Sequence, residues 1–367
     1  MGGALSAPAR GIRESTADYE RWLGGQLHLI PEDLALKHER MRGDVFSFFR
    51  ATFYRFAESW PALCPQFAQA PRVLGIGDLH IENFGTWRDA EGRLSWGIND
   101  FDEACEAPYA VDLARLAASA SLAIRANRLS LKPEAAAAAI LDGYLQSLTR
   151  ATKPWVLEEG QDWFRALAFS EERNPTRFWA KLDELPAIAS PLPQSVMHRL
   201  TEALPGGAED VRIVHRIAGL GSLGRERYVA IARWHGAHVA REAKAIAPSA
   251  WHWAAGRKPA PASQSQRCWM RAVRVPDPFL RIDGDWQIRR LAPHSSRIEL
   301  SALPEKKDED RLLHAMGAET GNVHRGNAAN VAAIVEDLAK RPAGWLFDAA
   351  HAVTEAVHAD WKAWCKP

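Results

Sequence analysis

Around residues 190–210 the hydrophobic period of this 367-residue chain changes, and that change limits the fold more than any other feature. Before it, apolar residues recur at helical spacing. In "VFSFFRATFYRFAESW", Phe49, Phe53, Phe56 and Trp60 form one aromatic stripe, which predicts a buried helix face. After it, "VRIVHRI" and "RYVAIARW" alternate, with Val211, Ile213, His215 and Ile217 on one side, the period of half-buried strands. "AHVAREA" and "WQIRRL" read as further strands, and "GRKPAPASQSQ" as a loop between them; from about 308 the helical period returns. Helices and strands gathered into separate runs predict an α+β fold.

Local signals refine this. Pro31 breaks a charged helical stretch over 13–42, and Asp44 is placed to cap a helix starting at Val45. "PRVLGIG" at 71–77 reads as a strand entering a glycine turn, "LSWGINDF" as a second strand, and Glu91-Gly92 as a turn between them. Asp112 is placed as N-cap of "DLARLAASASLAI", and Pro133 opens the next helix at a favourable first-turn position. Residues 153–190 look irregularly helical, and "PLPQ" and "LPGGAED" mark the break. Four segments result: a helical 1–70, a mixed lobe over 71–190, a β-rich lobe over 191–300, and a helical 301–367 packing back on the mixed lobe.

Composition excludes several classes. Lys plus Arg (46) balances Asp plus Glu (45), so charge gives no case for a nucleic-acid or anionic-membrane partner. Cys64, Cys105, Cys268 and Cys365 form no CxxC pair, which argues against a disulfide framework or zinc ribbon. There is no apolar run of membrane-spanning length and no secretory leader pattern. The expectation is a cytoplasmic protein.

The chemistry-bearing stretch is "GIGDLHIENFG" at 75–85, followed by "INDFDEA" at 98–104. Asp78 follows a strand and a glycine, Asn83 stands five residues on, and a second strand delivers Asp100-Phe101. Each residue alone is a common turn or cap former. Together they are the groups that magnesium-dependent phosphoryl transfer needs: a carboxylate to take a hydroxyl proton, then an amide oxygen and a carboxylate to hold metal. Asp102 would share a side with Asp100 on a continuing strand and is a further candidate metal ligand. Hard oxygen donors suit magnesium rather than zinc. His80 reads as a hydrogen-bonding group of the loop.

"GLGSLG" at 219–224 fits G-x-G-x-x-G. A dinucleotide site of the Rossmann type needs a helix next, but "RERYVAIARW" alternates like a strand. Strand, glycine turn, strand is the arrangement that covers ATP phosphates in kinases; Gly219, Gly221, Ser222 and Gly224 are its candidate nucleotide contacts. A cation for the phosphates should come from the next strand, where Arg241 and Lys244 are candidates. Three residues apart, they point to opposite faces, so only one enters a cleft.

These residues, in this order, resemble the bacterial family of unknown function DUF2252, usually placed with protein-kinase-like and aminoglycoside-phosphotransferase-like folds. "KHERMRGDVFSFFRA", "GDLHIENFG", "INDFDEACEAPYAVDLARLAAS", "RIAGLGSLGRERYVAI", "VAREA", "QIRRL" and "MGAETGNVHRG" carry the resemblance over most of the chain. The chain departs at Arg50-Ala51, where the family has Arg-Gly, and at Arg241-Glu242-Ala243, where it has Lys-Glu-Ala. Ile76 stands where aminoglycoside kinases have a His. The resemblance implies a two-lobed kinase-like fold. Because the catalytic loop precedes the glycine turn, that fold would be circularly permuted.

The expected function is an ATP- and Mg2+-dependent phosphotransferase acting on an unknown small-molecule acceptor. Asp78 would be the base, Asn83 and Asp100 the catalytic metal ligands with Asp102 beside them, and the 219–224 turn the phosphate cover. Three alternatives remain: a non-catalytic nucleotide-binding protein, suggested by Arg241; an adenylyltransferase; and a two-metal phosphoesterase. "GDLH" and "GNVH" faintly resemble motifs of the last, but a valine separates Asn322 from His324 and two-metal chemistry needs more converging histidines.

Overall fold

The computed structural model describes residues 10–158, 164, 174–188, 192–258, 263–295, 308–326 and 328–366. The fold mixes helix and sheet as α+β. Much of the irregular stretch expected over 153–190 lies outside the described residues.

Four helices open the chain: α1 (Ile12–Gly24), α2 (Pro31–Gly43), α3 (Val45–Ala51) and α4 (Phe53–Leu63). Pro31 sits in the first turn of α2, and the Asp44 carboxylate accepts from Ser47 N to cap α3. Strand β1 (Arg72–Gly75) follows, then the hairpin of β2 (Phe84–Arg88) and β3 (Leu94–Ile98), then β4 (Cys105–Pro108). The turn at Gly92 therefore joins β3 to β2, a strand that the sequence does not announce. β1 pairs instead with β4, antiparallel. The strand expected to carry Asp100 ends at Ile98, so both Asp100 and Asp102 lie in the connection to β4.

Helices α5 (Ala110–Arg125) and α6 (Pro133–Thr149) complete this half, with a short strand β5 (Trp155–Val156) pairing with β3. Asp112 lies inside α5 rather than at its N-cap, which is Tyr109. Helix α7 (Pro175–Asp183) and helix α8 (Gln194–Ala203) then flank an antiparallel sheet. Its order is β6 (Glu209–His215), β7 (Arg227–Trp234), β8 (Ala237–Ala245), β10 (Trp286–Leu291), β9 (Arg281–Asp283). Between β8 and β9 come α9 (Ala250–Ala254) and α10 (Ser263–Arg271). The described end of the stretch expected as a loop, from Ser263, is therefore helical.

The two faces of this sheet differ. One packs Tyr228, Ala230, Ala243 and Ile288 against Val196 and Leu200 of α8. The other packs Val214, Val229, Ile231, Ala240 and Leu291 against Leu182 of α7. Toward one end that second face turns from apolar to charged, through Arg227, Glu242, Lys244 and Arg289.

Helices α11 (Asp308–His324), α12 (Ala328–Lys340) and α13 (Trp345–Cys365) return to the large core made by the first half. The crossing of α6 and α11 is close enough that a Cβ on Gly143 would stand 1.9 Å from the His314 carbonyl oxygen. The four cysteines are unpaired. Among the described residues no helix is long and apolar enough to cross a membrane.

Candidate functional site

Glycine 77, at φ +79°, turns the chain out of β1. A Cβ there would meet the Glu103 carbonyl oxygen at 2.2 Å, so the two acidic loops are packed backbone to backbone. The Asp112 carboxylate accepts from Ile76 N and Gly77 N, both at 2.8 Å. Its own anchor is His324, whose Nε2 is 2.9 Å away and whose Nδ1 meets the Tyr144 hydroxyl at 2.8 Å. Asp112 thus holds the loop that carries Asp78.

Arg115, one turn further along α5, fixes Asp78 itself. Its Nε donates to Asp78 Oδ1 at 2.7 Å and its Nη2 to the Phe49 carbonyl at 2.9 Å. The guanidinium is wholly buried and lies 4.1, 5.1 and 4.9 Å from the ring centres of Phe49, Phe53 and Phe56. The aromatic stripe therefore does more than fill the core: its rings enclose the cation that holds Asp78. Burial raises the Asp78 carboxyl above the ordinary range, with Arg115 opposing that shift. Burial likewise lowers Arg115.

Asn83 ends a short 3-10 turn, Ile81–Asn83. Its Nδ2 donates to the Asp78 carbonyl at 2.6 Å, which turns the amide oxygen the other way. His80 accepts from Glu82 N through Nδ1 at 3.2 Å. In the second loop, Asp100 is the most open acid, its side chain 39 % exposed. Desolvation pushes against its ionisation, yet Lys244, backed by Arg289 and Arg227, holds it below the usual carboxylate range. Asp102 is raised instead, by burial and by its neighbour Asp100. Lys244 Nζ lies 2.6 Å from Asp102 Oδ1 but off a hydrogen-bonding axis, and neither Asp102 oxygen accepts a hydrogen bond from a described residue. Glu103 is tied to Arg225 at 2.8 Å and to Ala250 N at 2.7 Å.

The glycine turn lies directly opposite, between β6 and β7. Gly219 (φ +74°) and Gly224 (φ +97°) bound a short turn, Leu220–Ser222. A Cβ on Gly221 would stand 3.0 Å from the Arg50 carbonyl oxygen and 3.4 Å from Asp78 Oδ2. Side chains hold the turn in place. Lys37 Nζ donates to the Gly221 carbonyl at 3.1 Å and Arg227 Nη2 to Ser222 Oγ at 2.7 Å. The N-terminal segment is bolted to it as well, through Ile30 N to the Gly224 carbonyl at 2.8 Å.

Asp78, Asn83, Asp100, Asp102, Gly219, Gly221 and Ser222 thus line one recess, together with Lys37, Arg50 and Arg225. Its inner cavity is ≈ 60 Å³, space for a few waters, widening to ≈ 630 Å³ with the open mouth included. Gly224 closes the turn without lining the recess.

The structure separates the two candidate cations. Arg241 is on the α8 face of the sheet, donating to the Ala203 carbonyl at 2.8 Å and lying 4.8 Å from the Phe279 ring centre. Lys244, on the other face, is the one that meets Asp100 and Asp102. Arg241 therefore does not line the recess. Glu242, on the Lys244 face, is wholly buried among Arg216, Arg227 and Arg289.

Arg115, Lys37 and Arg225 escape the sequence reading. For Arg115 a weak signal exists, an arginine in the middle of an Ala-, Leu- and Ser-rich helix whose other arginine stands at its end, three residues after Asp112. Lys37 sits on a charged helix where lysine is ordinary.

A metal fits part of this site. Among the described residues no three His, Cys, Asp or Glu side chains converge into a ready-made metal cluster. Magnesium, though, is commonly held by one or two carboxylates plus substrate phosphates. Buried Asp102, ion-paired to Lys244 rather than locked by hydrogen bonds, offers part of that set.

The chain matches the family model described as "Uncharacterized protein conserved in bacteria (DUF2252)" over residues 29–180 and 207–367, and it belongs to that family. No curated protein and no solved structure matches it.

Proposed function

We propose that this member of the DUF2252 family is an ATP- and magnesium-dependent phosphotransferase with a small-molecule acceptor, built as a circularly permuted kinase-like fold. One observation carries the reading. Two stretches about 140 residues apart, the acidic loops and the glycine turn, face each other across one recess, with Gly221 against Asp78 and Lys244 against Asp100 and Asp102.

The residues divide the work. Asp78 offers Oδ2 to the recess while Arg115 holds Oδ1. Burial makes it more basic than an ordinary carboxylate, which suits acceptance of a proton from an acceptor hydroxyl. Asn83, Asp100 and Asp102 would hold magnesium, whose chemistry is to neutralise phosphate charge. Gly219–Ser222 brings bare backbone against the phosphates, and Lys244 supplies a compact positive charge. Loading requires the Lys244 ion pairs to yield, because the inner cavity has no room for a triphosphate.

Two alternatives lose ground. The non-catalytic reading rested on Arg241, which lies on the wrong face to matter. The phosphoesterase reading needs His80 and His324 together, but His324 is committed behind the loop to Asp112 and Tyr144.

The test is transfer of the γ-phosphoryl group from labelled ATP with magnesium over a panel of hydroxyl- and amine-bearing small molecules. Asp100→Asn should cut turnover by ~10³-fold or more with the fold intact. Retained turnover would reject the metal role, and AMP rather than phosphate on the product would reassign the reaction as adenylyl transfer.

A further inference from the structure

Lys37 is a buried cation to which the phosphotransfer scheme gives no task. It is 3 % exposed on α2, and its ammonium lines the recess. Of its three donors, one reaches the Gly221 carbonyl at 3.1 Å, and no carboxylate of a described residue lies within 4.0 Å of it. The Tyr54 ring centre, 5.9 Å away, is a weak partner. Burial pulls the ammonium down to about 8; Glu20, Glu103 and Asp78 act against that from a distance, and Arg225 adds to it.

Arg225 beside it is ion-paired but keeps spare donors. Its Nη2 is spent on Glu103 at 2.8 Å, but its Nε and Nη1 make no hydrogen bond with a described residue. Nη1 lies 3.9 Å from Asp102 Oδ2. A buried ammonium without a counter-charge is costly, and an anionic oxygen placed there removes the cost. The site for that oxygen is under the glycine turn, beside Gly221 and Asp78.

We propose that Lys37 and Arg225 form an anion site beneath the glycine turn that takes the terminal phosphoryl oxygens of a polyphosphate ligand. Resting on the phosphotransferase reading, the ligand group is the γ-phosphoryl, which Lys37 would hold against Asp78 while Lys244 serves the inner phosphates.

Calorimetry of the parent and Lys37→Met with Mg·AMP-PNP, Mg·ADP and inorganic pyrophosphate tests this. The expected result is AMP-PNP and pyrophosphate weakened tenfold or more, with ADP changed less than threefold. AMP-PNP bound equally well by Lys37→Met overturns the site, as does an equal loss for AMP-PNP and ADP. Pyrophosphate bound by the parent and lost in the variant, with AMP-PNP bound by neither, keeps the anion site and rejects the nucleotide. A parent that binds neither probe overturns both. A second measurement needs no variant: NMR titration of the Lys37 side chain should show its midpoint rising by more than one pH unit on saturation with Mg·AMP-PNP. An unmoved midpoint overturns the proposal.

Discussion

Among the described residues two glutamates, Glu242 and Glu319, are 1 % exposed or less, and their surroundings treat them in opposite ways. Glu242, on the charged face of the five-stranded sheet, has Arg216 at 2.5 Å, Arg227 at 3.2 Å and Arg289 at 2.7 Å. Desolvation opposes its charge, yet the guanidiniums hold it well below the ordinary range. Glu319, in the helical core, accepts only neutral hydrogen bonds from described residues, Ile98 N and Asn322 Nδ2, both at 3.3 Å. Burial pushes it up to about 7, against a weak pull from Arg274. Burial sets the cost, and the partners decide whether the charge survives. Asp78 and Asp102 fall between these extremes: Asp78 is hydrogen-bonded by one guanidinium, Asp102 has the Lys244 ammonium at 2.6 Å and Arg225 at 3.9 Å, and both stay raised. Such partial neutralisation leaves room for an incoming cation, whereas Glu242 has none to spare.

The largest test of this contrast is Glu242→Gln. It leaves three guanidiniums facing one another without a counter-charge, and should cost ~3–5 kcal/mol of stability in urea unfolding. A loss under 1 kcal/mol would mean that the sheet face does not depend on that charge.

A smaller effect should come from Glu319 through pH. The folded carboxyl keeps its proton to about 7 while an unfolded glutamate releases it near 4.5. Between the two the folded state binds more protons, so stability falls as pH rises through that window. The decline should total ~2–3 kcal/mol between pH 5 and 8, and Glu319→Gln should flatten it. An unchanged slope in the variant would assign the decline to another group.

The smallest effect is expected at Arg241. Being on the α8 face, Arg241→Met should leave phosphoryl transfer and nucleotide affinity within about twofold of the parent. A loss of ten-fold or more would show that the two faces of β8 are not separate.

How much of this was legible depended on the range of the signal. Pro31, Asp44 and the alternation after 210 are local, and they placed α2, α3 and the sheet. The five-residue offset of Asp78 and Asn83 also marked a loop that the structure brings against the glycine turn. Alternation predicted that Arg241 and Lys244 diverge, but not which one faces the acids, because that depends on which side α8 covers. Asp112 resembled a cap by position; its partners are Ile76, Gly77 and His324, and only the packed fold brings them together. Arg115 and Lys37 were hidden for the same reason. An arginine among three phenylalanines from two earlier helices, or a lysine under a turn more than 180 residues away, leaves no periodic trace. The β1–β4 pairing was missed because its strands are four residues each and enclose a longer hairpin.

The order of the two walls along the chain has a consequence for synthesis. At ~5–20 residues per second, roughly seven to thirty seconds separate the emergence of Asp78 from that of the glycine turn. For most of that interval Asp100, Asp102 and Glu103 have left the ribosome while Arg225 and Lys244, which pair with them, have not yet emerged. The nascent amino-terminal half must therefore keep its acidic loop hydrated until the sheet arrives.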